Sequence, residues 1–230
     1  AWNEPSYRTA ARRIAIECGR ETLLFRDPHG ALLLPAVSGF SARERPDGPL
    51  VNLSYWIFPA FPRLALVAPE YDWAALTRSG LSLLRQSRFG PSNLPTEWIS
   101  AKDAPPPATG SPPLCSDNAL RVPLYLAWAG LVRPDDLAPF QALWSGSDRE
   151  RLPIVDTGDG RKVEWLTEAG YMGIPALVAC ALDGTPFPED ARGDIGNQNY
   201  YPATLSLLAL TAARMRYPPC LKSCRALRRP

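Results

Sequence analysis

The chain has a single histidine, His29, in 230 residues, and its five cysteines form no ligand cluster. Cys220 and Cys224 lie at a C-x3-C spacing, but no further ligand accompanies them, so no metal site and no cofactor are expected. A terminal disulfide between those two is the pairing their spacing allows. The odd count argues against a disulfide framework. Cys18 and Cys180, inside apolar helical patterns, read as small core residues. An excess of charge is also lacking: the net charge is only +2, and Lys and Arg are scattered. Only the end is basic, through Lys222, Arg225, Arg228 and Arg229, which reads as a solvated tail rather than a nucleic-acid footprint. No run of about 18 apolar residues is present, so no membrane span is expected. There is no recognisable signal peptide. The chain opens at Ala1-Trp2-Asn3-Glu4 without an initiator methionine, which reads as the middle of a sequence.

What is present is a globular composition, 46% hydrophobic and 21% charged, on a chain long enough for a substantial core. Proline is abundant, at 26 residues or about twice the average share. Pro59, Pro123, Pro175 and Pro202 recur just inside apolar runs, where a proline marks a helix start or a kink. Apolar periodicity predicts a first helix over 5–20, ended by Gly19, and a second from Asn52 to about Ala68. Asp72 is the expected N-cap of a third. Helices are also expected from the Ser116–Trp128 stretch, from Pro134 through Trp144, over 164–182, and from Asn199 onward. Leu32-Leu33-Leu34 has strand character without an evident partner, so no sheet is expected. Asp156-Thr157-Gly158-Asp159-Gly160 lacks the remaining ligands of a calcium loop and reads as a plain turn. Seven helices, ornate starts alternating with plain amphipaths, suit a two-layered helical ring whose inner helices present their starts at a cleft. A solenoid would need a fixed-period repeat, and none is found.

The most informative stretch begins at Ser116-Asp117-Asn118. Leu120, Leu124, Ala127 and Leu131 form an apolar stripe at helical spacing. Asn118, Arg121, Tyr125 and Trp128 form a second face carrying amide, cation, phenol and indole. Such a face suits a flat polar ligand such as a sugar ring, while an ordinary buried helix with satisfied polar groups is the plainer alternative.

Four segments together resemble glycoside hydrolase family 8, and in particular the branch containing cellulases of bacterial cellulose-synthesis operons. They are Asn52-Leu53-Ser54-Tyr55, Leu94-Pro95-Thr96-Glu97-Trp98, Asn118-Ala119-Leu120-Arg121-Val122-Pro123, and Glu164-Trp165 through Gly170-Tyr171 with Tyr200-Tyr201 beyond. The resemblance implies an all-α (α/α)6 toroid, incomplete here, with about seven helices and the N-terminal ones missing from this chain. Residues 1–217 would be the C-terminal part of one catalytic domain, and 218–230 a basic, Cys-containing tail. It also implies an inverting endo-β-1,4-glucanase without cofactor, secreted or periplasmic when full-length. Its partners would be a β-glucan, the missing N-terminal segment, and functionally a cellulose synthase.

The family's general acid and a second carboxylate belong to segments that would precede Ala1. Many members place the general base in Asp-Ala-x-Arg, where aligning on Arg121 puts Asn118 at the base position and Asp117 one residue earlier. An amide cannot take the proton of an attacking water at neutral pH. The expected arrangement therefore has Asp117 as base, Asn118 holding the water or a sugar hydroxyl, and Arg121 orienting the carboxylate. Expected glucan contacts are Asn52, Ser54, Tyr55, Trp98, Trp128, Tyr171 and Tyr200, because sugar rings stack on aromatics while their hydroxyls find polar partners. Two alternatives stand beside the hydrolase: a non-catalytic glucan-binding or scaffold protein of the same fold, and a helical protein-interaction module.

Overall fold

Asp72 accepts the Ala75 amide at 2.8 Å, so a side-chain cap opens the helix its position predicted, α3 (Trp73–Gln86). In the computed structural model, which describes residues 4–102, 104–145, 150–192 and 198–222, six other α-helices accompany it. They are α1 (Pro5–Thr22), α2 (Phe61–Val67), α4 (Arg121–Ala129), α5 (Pro134–Ser145), α6 (Gly173–Asp183) and α7 (Tyr200–Arg216). Contacts divide the chain into two compact units, one of Ala1–Arg88 with Pro95–Pro113, the other of Phe89–Leu94 with Leu114–Pro230.

In the first unit α1 runs past Gly19, where a helix stop was expected. That glycine instead admits the Tyr71 ring, which a Cβ there would overlap. Tyr71 then donates its hydroxyl to the Ile16 carbonyl at 2.8 Å. The connector after α1 is a hairpin, β1 (Leu23–Asp27) paired antiparallel with β2 (Gly30–Leu33), so the leucine run has its partner immediately upstream. The continuous second helix does not form. Two short 3-10 helices, Leu53–Tyr55 and Phe58–Ala60, precede α2. Pro59 and Pro62 each fall in a first turn, the only helical position where a missing N–H costs little. Trp56 between them is fully buried, donates Nε1 to the Leu33 carbonyl at 3.2 Å, and packs on Gly80 of α3. The strands β3 (Leu50–Val51) and β4 (Ile99–Ser100) pair antiparallel.

In the second unit β5 (Leu114–Cys115), β6 (Leu152–Asp156) and β7 (Lys162–Leu166) form a three-stranded antiparallel sheet in that order. A helix over 164–182 was expected; its first residues are β7, paired Ile154 to Glu164 and Pro153 to Trp165. The cause is tertiary pairing with a strand whose own pattern is a short unbroken apolar run. The Asp156–Gly160 segment is the turn between β6 and β7. Asp156 Oδ1 accepts the Gly158 amide at 2.8 Å and Gly160 adopts φ 79°. Among the described residues no group of three or more metal-ligating side chains is found.

The cysteine reading needs correction. Cys180, near the end of α6, is bonded to Cys220, and Cys18 is exposed rather than core. Cys224, Arg225, Arg228 and Arg229 lie outside the described residues. The bond closes a 40-residue separation, and a crosslink of that length restricts the unfolded chain by about 2–4 kcal/mol. Cys220→Ser, or a reductant, should lower Tm by roughly 5–15 °C, whereas Cys18→Ser should leave it unchanged in a calorimetric scan.

A second test concerns the loop after β2. Glu44 accepts the Gly39 amide at 2.9 Å and the Ser41 hydroxyl at 2.7 Å, and these bonds lower its pKa from 4.5 to about 2. A depressed carboxylate stabilises the fold above its unfolded pKa, and that contribution is lost as pH falls through the folded value. Glu44→Gln should therefore lower Tm at pH 7, with the difference from wild type vanishing as the pH approaches 2.

Candidate active site

Asp117 already has helical backbone angles, and its side chain makes no N-cap bond. The 3-10 helix Asn118–Leu120 follows and leads into α4. Asp117 Oδ1 accepts the Ser116 hydroxyl at 3.0 Å, and Arg121 donates Nη2 to Asn118 Oδ1. Of the expected apolar stripe, Leu120, Leu124 and Ala127 are buried, while Leu131 lies past the end of α4 and is half-buried. On the other face Tyr125 is buried as well, while Asn118, Arg121 and Trp128 are half-buried.

Three helices begin together here. The Tyr201 hydroxyl, at the start of α7, donates to the Asp117 carbonyl at 3.2 Å. At the other end, Arg216 Nε donates to the Trp128 carbonyl at 2.9 Å and Tyr217 to that of Ala127 at 3.0 Å. Starts meeting starts and ends meeting ends means that α4 and α7 run parallel. The third helix, α6, follows the 3-10 helix Ala169–Met172. A Cβ on Gly170 would overlap the Pro202 carbonyl of α7, and Gly173 lies against Ser206 and Ala209. The far end of α6 is tied through Cys180 to Cys220, beyond the end of α7. All three helices therefore point their starts at the segment carrying Asp117.

Around that segment the side chains are phenolic and ionic. The Tyr171 and Tyr201 rings meet at 6.3 Å and 65°, and the Arg121 guanidinium lies 6.0 Å from the centre of the Tyr201 ring. Burial, foremost, raises the Tyr201 pKa well above the ordinary phenol value, against the opposing pull of Arg121 and with the help of Asp117. Burial also raises that of Tyr171, aided by Asp117 and Glu168, and that of Tyr125, opposed by Arg121. All three hydroxyls stay protonated at neutral pH, and that of Tyr201 is a hydrogen-bond donor. Glu168 holds the entry to α7 by accepting the Asn199 amide at 2.9 Å and its side-chain Nδ2 at 3.0 Å.

Of the residues singled out in this half, Asp117, Asn118, Arg121 and Tyr171 come together. Trp128 lies seven residues along α4 from Arg121, about 10 Å away at the helical rise. Tyr200 is 84% exposed on α7. Tyr201 and Glu168, which complete the cluster, are not among the site residues the sequence marks. The Tyr200-Tyr201 pair was visible in the sequence, but which of the two faces inward depends on how α7 is rotated.

The remaining expected residues belong to the first unit. Asn52 Oδ1 accepts the Ser54 amide at 3.0 Å, and both residues are 1% exposed. They brace the turn that presents Tyr55, 37% exposed, and do not themselves offer a surface. Tyr55 meets Trp98 edge-on at 6.1 Å, and Phe40 stacks on Trp98 at 5.6 Å. Phe40 lies among Ser, Gly and Arg residues in a stretch without apolar periodicity, so no pattern pointed to it. The same unit has an open groove of about 460 Å³ lined by α1 and α2 residues such as Ile14, Cys18 and Leu64. Its walls are almost wholly apolar and carry no carboxylate.

With that geometry in place, the comparisons with known proteins identify the class. The family model for glycosyl hydrolases family 8 matches residues 1–214, and the chain belongs to that family. It is 30% identical over 185 residues to a probable endoglucanase of Novacetimonas hansenii, covering 79% of this chain and 52% of that protein. It is also 30% identical over 181 residues to an endoglucanase of Cellulomonas uda, covering 76% and 48%. The chain thus spans about half the length of these curated relatives. Among solved structures, the family 8 endoglucanase Cel10 of Klebsiella pneumoniae matches at TM-score 0.78 and 29% identity, over 93% of this chain and 66% of that one. The endo-β-1,4-glucanase CMCax of Acetobacter xylinum matches at TM-score 0.77 and 26% identity, over 93% and 65%. The all-α (α/α)6 class is therefore the correct one, with seven α-helices among the described residues and part of the toroid represented.

The close approach at Gly170 supplies a test of this construction. Gly170→Ala forces the start of α6 away from Pro202, an overpacking that costs about 1–3 kcal/mol. The expected outcome is a Tm lowered by several degrees, with near-ultraviolet circular dichroism of the tyrosine cluster altered in the folded protein.

Proposed function

We propose that this chain is the base-bearing part of an inverting endo-β-1,4-glucanase, with the general acid on a segment upstream of Ala1. The observation that carries the reading is the convergence of the α4, α6 and α7 starts on Asp117, whose carboxylate is not engaged in capping the helix it precedes. In the inverting reaction a carboxylic acid protonates the leaving oxygen while a carboxylate roughly 6.5–9.5 Å away activates water on the opposite face. Asp117 takes the second role. Asn118, whose Oδ1 accepts from Arg121, has the role of donating its amide N–H₂ to the water or to a sugar hydroxyl. Tyr55 and Trp98 are the reading's glucan-stacking residues. The names of the relatives support β-1,4-glucan as substrate class. A functional link to cellulose synthase belongs to the same proposal. The Cys180–Cys220 bond favours an oxidising compartment, in keeping with a secreted or periplasmic protein.

A second reading, glucan binding without cleavage, draws on Asn118 occupying the position that many members give to the catalytic aspartate. Release of reducing ends from soluble carboxymethylcellulose by the complete protein discriminates between them. On the hydrolase reading, Asp117→Asn lowers kcat about 100-fold or more with little change in KM. Full turnover in that variant would remove Asp117 from the mechanism, and no release by the unaltered protein would favour the binding reading.

A further inference from the structure

Three aromatic rings of the first unit touch outside its core. Phe40 stacks on Trp98 with centroids 5.6 Å apart and planes 12° from parallel, and Tyr55 meets Trp98 at 6.1 Å and 90°. Phe40 and Trp98 are half-buried and Tyr55 is exposed, whereas Trp56 and Phe58, from the same stretch as Tyr55, are almost fully buried. The Phe40 carbonyl accepts the Leu50 amide of β3 at 2.8 Å, and the Trp98 carbonyl, just before β4, accepts the Ala108 amide at 2.9 Å. Because β3 and β4 are paired, the two stacked rings are anchored on one ribbon. Phe40 has a further clamp. The Glu44 carboxylate takes the Gly39 amide on one oxygen and the Ser41 amide and hydroxyl on the other, at 2.9, 3.2 and 2.7 Å, so it grips both neighbours of Phe40. Gly39, at φ 86°, supplies the left-handed backbone of the turn. Held at a pKa of about 2 by these bonds, Glu44 stays ionised at neutral pH.

Charge-assisted bonds to the two residues flanking one phenylalanine fix where that side chain stands on a surface loop. Phe40 covers one face of the Trp98 indole, so the indole keeps at most one face for a sugar, and the orientation of that face follows from Phe40. We propose that Phe40 is a positioning residue for glucan binding, setting the Trp98 indole square to Tyr55 so that the two rings receive one glucosyl unit between perpendicular walls. A sugar ring laid flat on one wall meets the other with its edge. This deepens the reading given under the proposed function and rests on its glucan ligand, though not on cleavage or on Asp117.

The test is isothermal titration of the full chain with cellohexaose. Phe40→Leu keeps an apolar side chain, so Tm should stay within about 3 °C of wild type, but the flat support behind Trp98 is gone and affinity should fall about fivefold. Phe40→Tyr restores the ring and should bind within about twofold of wild type. Trp98→Ala should weaken binding further than Phe40→Leu. Since Phe40 acts through the indole, adding Phe40→Leu to Trp98→Ala should cost little more affinity. Wild-type affinity in Phe40→Leu, a Phe40→Tyr variant as weak as Phe40→Leu, or losses that multiply in the double variant would each overturn the proposal. If Phe40→Leu fails to fold, Glu44→Gln loosens the clamp from outside the rings and should weaken binding in the same direction; unchanged affinity there would equally overturn it. No binding of cellohexaose by the wild-type chain removes the glucan reading and this inference together, whereas wild-type binding that is indifferent to Phe40 removes this inference alone.

Discussion

The hydrogen bond from Tyr201 to the Asp117 carbonyl is the contact on which the arrangement around Asp117 depends. It joins the start of one helix to the residue before another, and it does so from a side chain that burial and Asp117 keep protonated. Locally the 3-10 turn Asn118–Leu120 is held by its backbone bonds and by the Arg121–Asn118 contact. A short 3-10 segment has poor hydrogen-bond geometry, so an external brace decides where its first residue points. Everything proposed for Asp117 passes through that brace.

The packing beneath explains why the brace is in register. Gly170 and Gly173 let α6 approach α7 at near backbone contact, and side chains there would push the helices apart. The disulfide closes the opposite end. Two close contacts at one end and a covalent tie at the other leave α6 and α7 little freedom to slide, and sliding by one residue would carry Tyr201 about 100° around its helix. Tight packing of small residues is thus what converts two phenols into a defined arrangement around a carboxylate.

How much of this the sequence disclosed varied with the range of the interaction. Asp72 as a cap and the Leu120–Leu124–Ala127 stripe are local signals, and both hold. The strand at 162–166 was hidden because its apolar residues suit either periodicity, and only pairing with 152–155 decides between them. Pro59 and Pro62 mark a break, and the apolar run from Asn52 to Ala68 divides there. The Cys180–Cys220 bond was invisible because Cys220 has a sequence neighbour, Cys224, at a plausible spacing, while its real partner lies 40 residues away. At the site, Asp117, Asn118 and Arg121 could be read from one turn of chain. Tyr201 and Glu168 could not, and in the first unit neither could Phe40, because each acts across an interface between elements.

The central claim is that the meeting point of three helix starts at Asp117 is where a glucan binds. A crystal structure of the protein soaked with cellohexaose tests it most directly. The account predicts a glucosyl hydroxyl about 2.7–3.0 Å from an Asp117 carboxylate oxygen. An oligosaccharide bound elsewhere, with Asp117 untouched, would contradict it.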